Sequence, residues 1–228
     1  MGGPNIKRTT DNHMPKRTRI IIGGLITALA LAAAVGTANA RRLAMSENHF
    51  LSHFRTLTFA AGEFNIICAV SIEGSFHEKT LEKVANSLVG YISEARVKRP
   101  CTQGEAWIQD TQERGAGEPE SLPWHITYER FIGALPNITG IELLLPTALF
   151  LVEVGIKCVY RATTTSPMKG IITREAGGRV TGLRANEAKP IPKTEPSNFL
   201  CPPSGNLIGT GIVGTQVGYR EITVTLVA

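Results

Sequence analysis

Four cysteines, Cys68, Cys101, Cys158 and Cys201, carry the most distinctive chemistry in this 228-residue chain. A thiol can attack a carbonyl, ligate a metal or pair as a disulfide, and spacing decides among these. No two of the four are close enough for the Cys-x-x-Cys pairs on which tetrahedral zinc sites commonly draw. An even set in an exported chain reads instead as disulfides. Four cysteines allow three connectivities. The pairing Cys68–Cys101 with Cys158–Cys201 is favoured, because partners adjacent in sequence suit neighbouring strands, or a strand and the loop after it.

Carboxylates and imidazoles are the next candidates. Beyond the first forty residues the chain holds one aspartate, Asp110, and no Gly-x-Ser-x-Gly elbow, so a Ser-His-Asp triad lacks its usual parts. Glu129 and Glu142 could pair for glycoside hydrolysis, with His125 or Asp110 beside them, but scattered surface glutamates offer such pairs by chance. No catalytic residue is assigned. His49 and His53, with Glu47 nearby, would share the face of a helix and could hold a metal there. An ordinary polar face beside Phe50 and Phe54 is the simpler reading, so no metal ligand and no cofactor is assigned. Gly209, Gly211 and Gly214 have dinucleotide-fingerprint spacing but precede strand-like residues, not a helix.

These residues must be positioned by strands. Phe64, Ile66, Cys68, Val70 and Ile72 alternate onto one face, as do Trp124, Ile126 and Tyr128. Pro146 divides the apolar stretch Ile141–Val154 into two strands. Gly177-Gly178 between Ile171–Arg174 and Arg179–Thr181 predicts a hairpin, since glycine accepts positive φ. Ile222, Val224 and Leu226 make a last strand, a candidate edge. Against this all-β pattern, Ser75-Phe76-His77-Glu78 resembles a capping box, followed by Leu81, Val84, Ala85 and Leu88 at helical spacing. One short helix near 77–89 is therefore expected in an otherwise all-β antiparallel β-sandwich stapled by two disulfides.

The N-terminus sets the compartment. Lys16, Arg17 and Arg19 precede an apolar stretch from Ile20 to Val35, and Ala38-Asn39-Ala40 supplies the small-x-small pattern of signal-peptide cleavage. Residues 1–40 are read as a signal peptide cut after Ala40, 41–56 as a flexible N-terminal segment and 57–228 as one sandwich domain. The first forty residues also hold most of the net charge of +5, leaving a nearly neutral remainder with no basic stripe for nucleic acid.

In the segments Phe64–Phe76, Leu122–Leu143 and Gly177–Ala188 the chain resembles a group of uncharacterised secreted proteins of soil actinobacteria. The resemblance implies secretion and carries over no site residue. The expected function is that of a secreted, non-catalytic extracellular or cell-envelope protein that binds a cell-envelope component or self-associates through an edge strand. A secreted hydrolase of polysaccharide or ester is the alternative. A third reading, carriage of a small ligand or metal inside a β-barrel, requires an apolar cavity lined by Trp124 and Tyr128.

Overall fold

Alternation of apolar and polar side chains builds nearly every element of this chain, and the computed structural model describes residues 42–108, 122–135, 137–185 and 189–227. The first strands are β1 (Arg42–Met45), β2 (His49–Ala61), β3 (Phe64–Phe76), β4 (Thr80–Glu82), β5 (Leu88–Thr102) and β6 (Glu105–Trp107). Next come β7 (Trp124–Ala134), β8 (Asn137–Leu145), β9 (Leu149–Glu153), β10 (Lys157–Arg161) and β11 (Met168–Arg174). The chain continues with β12 (Val180–Ala185), β13 (Ile191–Thr194), β14 (Ser204–Gly214) and β15 (Val224–Val227). Among the described residues there is no helix.

The large antiparallel sheet joins at both of its sides. Strand β12 pairs with β11 on one side and with β14 on the other. The order β12-β11-β8-β7-β5-β3-β2-β14 therefore runs back to β12, and the two layers of a sandwich become opposite walls of one closed ring. Closure removes the exposed edges that a stack of long strands would otherwise present. Register shifts in β2 between Phe54 and Leu57, and in the β3–β5 pairing, are bulges of the kind that coil long strands enough to meet.

Each end of the ring is covered. At the end where β2 begins, the small sheet β15-β1-β4 packs Leu43, Met45, Leu81 and Val224 onto the core. At the other end, β13 pairs with β14 and leads into β10, β9 and β6. There Phe59 meets Phe150 at 5.0 Å and Tyr160 at 4.7 Å between ring centroids. Gly205 makes this possible, because a Cβ at that position would lie 2.1 Å from the Phe59 ring. The disulfides are Cys68–Cys101, between neighbouring strands β3 and β5, and Cys158–Cys201, between β10 and the loop after β13.

Two expectations are corrected. Residues 77–89 form β4, a turn and the start of β5. The helical stripe was not one face: Leu81 is buried, whereas Val84 and Leu88 are 53% and 49% exposed. Asn86 adopts a left-handed φ of 62°, its amide donates to Tyr128 O, and Ser87 O accepts from the Tyr128 amide, so the backbone bonds across to β7 and not along a helix. Residues 42–56, expected as a flexible segment, supply β1 and much of β2. Leu43, Met45, Phe50 and Phe54 are buried at alternate positions, and that burial recruits the segment into both sheets.

The described residues make one compact unit. The leader expected at 1–40, with Ala38 and Ala40 at its cleavage site, lies outside the described residues, as do Arg41 and Asp110.

Candidate ligand-binding lumen

Because successive side chains alternate across a strand, every ring strand sends one row inward. The inward row of β2 is Phe50, Ser52 and Phe54, then Leu57 and Phe59 beyond the bulge; that of β7 is Trp124, Ile126 and Tyr128. These rows do not fill the interior. A cavity of about 80 Å³ remains, lined by side chains from all eight ring strands and by Phe150 and Val152 of β9. Trp124 lines it, and so does Trp107 of β6; these are the only two tryptophans in the chain. A second cavity, of about 30 Å³, lies toward the β1 end, and Leu143 and Leu183 line both.

Three polar groups on the inward rows of β2 and β7 have no partner, those of Trp124, Ser52 and Tyr128. Trp124 is 1% exposed, yet its indole Nε1–H has no acceptor. Ser52 is fully buried, and its hydroxyl also has no partner. It lies on β2 between Phe50, which lines the smaller cavity, and Phe54, which lines the larger. Burying an unmatched donor costs roughly 1–3 kcal/mol. Native interiors carry few such groups, and a bound molecule offering an acceptor would relieve them. Tyr128 is buried at the next inward position but is off the cavity wall, and burial pushes its phenol up to about 12.

The other candidates fall on the outside. His49 and His53 share the outward face of β2, but four strand residues separate them by about 14 Å, too far for one metal ion. His53 stacks on Tyr219 at 5.3 Å, and the Glu47 carboxylate accepts from the Asn48 amide and faces Lys79. His125 is exposed on β7, where its amide donates to Thr147. Glu129 is half-buried on the same strand, at the bulge next to Arg130, which pairs with Glu142 and bonds its carboxylate. Gly209, Gly211 and Gly214 belong to β14, where Gly209 and Gly211 admit the close approach of β2. Strand β15 borders the three-stranded sheet, and its Val224 amide donates to Gly178 O.

Glu142 is structural. Although 3% exposed, it accepts from Lys169 Nζ at 2.6 Å and Arg130 Nε at 2.8 Å. Burial alone would raise its carboxyl, but the hydrogen bonds from Lys169 and then Arg130 outweigh this and hold it below the usual carboxylate range. A carboxyl lowered by folding stabilises the fold above its unfolded value, and that contribution fades as pH falls through the lowered value. Glu142→Gln is therefore expected to cost about 2 kcal/mol near neutral pH. The loss should shrink on acidification, as read from denaturant midpoints between about pH 6 and pH 3. A loss independent of pH would separate the ion pairs from the acid limb.

Sequence reasoning missed Ser52 and the reach of the cavity. The available signal was a hydroxyl in phase with the apolar row Phe50–Phe54. No protein-family model, no curated protein and no solved structure matches this chain.

Proposed function

We propose that this chain is an exported, non-catalytic binding protein that holds a small apolar molecule in the lumen of its ring, outside the cell or at its envelope. The observation that carries this reading is the apolar cavity inside the ring, lined by Trp124, whose buried indole N–H has no acceptor. Ligand sites are typically concave and apolar, with few polar groups to fix orientation. Apolar cavities of this order stay dry and take up small hydrophobic molecules. The leader pattern of residues 16–40 supports export, and the two disulfides are consistent with an oxidising compartment.

Both tryptophans line the cavity, so their emission reports occupancy directly. Titration with 2-nonanone, an apolar chain with one carbonyl acceptor, should give a saturable change in tryptophan emission. A linear, non-saturating response would count against the lumen as a binding site. Export is read separately: intact mass of the protein recovered from culture medium should begin at Arg41, with no thiol open to alkylation. A full-length mass confined to the envelope would contradict release.

A further inference from the structure

Arg174 ends an inward row. On β11 the positions Met168, Gly170 and Ile172 line the cavities, the first two the larger and Ile172 the smaller. Arg174 follows in the same phase and pairs with Val180, which also lines the smaller cavity. Its guanidinium reaches beneath the β11–β12 turn: Nη2 lies 3.5 Å from where a Cβ on Gly178 would sit. Its Nε and Nη1 atoms are shielded from solvent and have no hydrogen-bond partner. The neighbouring acids are committed elsewhere. Glu175 and Glu221 bind Arg179, and Glu47, which lines the smaller cavity, accepts from the Asn48 amide and faces Lys79.

A half-buried guanidinium with two shielded and unpartnered N–H groups is costly, and its preferred partner is a carboxylate. Arg174 itself lines neither cavity, but its pair Val180 lines the smaller one, which shares Leu143 and Leu183 with the larger one beside Trp124. The inward row from Arg174 to Met168 alone spans on the order of 20 Å. We infer that the natural ligand is a long-chain aliphatic monocarboxylate, its carboxylate paired with Arg174 and its tail threaded along the lumen toward Trp124. The inference rests on the lumen-binding reading and names its ligand class. Leu143 and Leu183, which line both cavities, are the side chains that must turn to let the tail pass.

The test compares dodecanoate with dodecanol, equal in tail and different in charge, by isothermal titration calorimetry on the oxidised chain. Dodecanoate is expected to bind at least about tenfold tighter, as a charge-assisted hydrogen bond provides. Arg174→Gln should weaken dodecanoate far more than dodecanol and so abolish that preference, and Arg174→Lys should restore part of it. Equal affinity of the unaltered protein for the two probes overturns the role of Arg174 but leaves lumen binding standing. Binding of neither overturns both. If Arg174→Gln does not fold, the comparison on the unaltered protein decides alone.

Discussion

Gly90→Ala is expected to destabilise the fold by about 3 kcal/mol, at the upper end of overpacking penalties. A Cβ at Gly90 would sit 2.2 Å from Ser75 O and 2.9 Å from Phe76 Cα. Both obstacles are backbone, so no rotamer change relieves them. They belong to β3, with which β5 pairs through Phe76↔Gly90 and Ser75↔Tyr91. To admit the methyl, one wall of the ring must separate from its neighbour at a register shift. Gly170→Ala is the matched control. Its Cβ would meet Leu183 Cδ1 at 3.3 Å, the far end of a flexible side chain beside the larger cavity. That change should be nearly neutral. Denaturant midpoints measure both, and equal midpoints for the two variants would remove the steric argument.

Reduction of both disulfides is the larger perturbation. Cys68–Cys101 joins residues 33 apart and Cys158–Cys201 residues 43 apart. Closing loops of these lengths is worth about 4 kcal/mol each in the chain-entropy account. Together they approach the whole stability of an ordinary domain, about 5–15 kcal/mol. The reduced chain should therefore be largely unfolded without denaturant.

The single losses should differ in kind. Cys68 and Cys101 bridge strands already paired through the ring, so Cys68→Ala with Cys101→Ala should lower the midpoint of global unfolding. Cys201 anchors a loop in which Phe199 and Leu200 are 85% and 63% exposed and contribute little packing. Cys158→Ala with Cys201→Ala should therefore also speed proteolysis between Thr194 and Ser204 before global unfolding begins. Unchanged midpoints under reductant would mean that burial alone holds the ring together.

Much of this architecture was legible because its cause is local. Period-two burial located β3, β7 and the final strand. Pro146, with no amide hydrogen to give, marked the break between β8 and β9. Gly177 and Gly178, at φ of 87° and 91°, turn the chain between β11 and β12 as their sequence foretold. Sequence adjacency also led to the observed cysteine pairs.

What escaped depends on partners distant in sequence. The β12–β14 pairing that closes the ring leaves no mark on either strand alone. Leu81, Val84, Ala85 and Leu88 keep helical spacing, but hydrogen bonds to Tyr128 outweigh a weak local preference. The lumen is harder still, since a cavity is what side chains from many strands together fail to fill. Ser52 and Arg174 gain meaning only once their rows are seen to face inward.

The most direct test of the central claim, an apolar lumen that takes up ligand, is diffraction from crystals pressurised with xenon. Xenon enters dry apolar cavities and binds without hydrogen bonds. The account predicts an anomalous peak inside the ring between Trp124 and Met168, with Leu143 and Leu183 on its flank. Peaks confined to the outer surface, or an interior filled by ordered water, would contradict it.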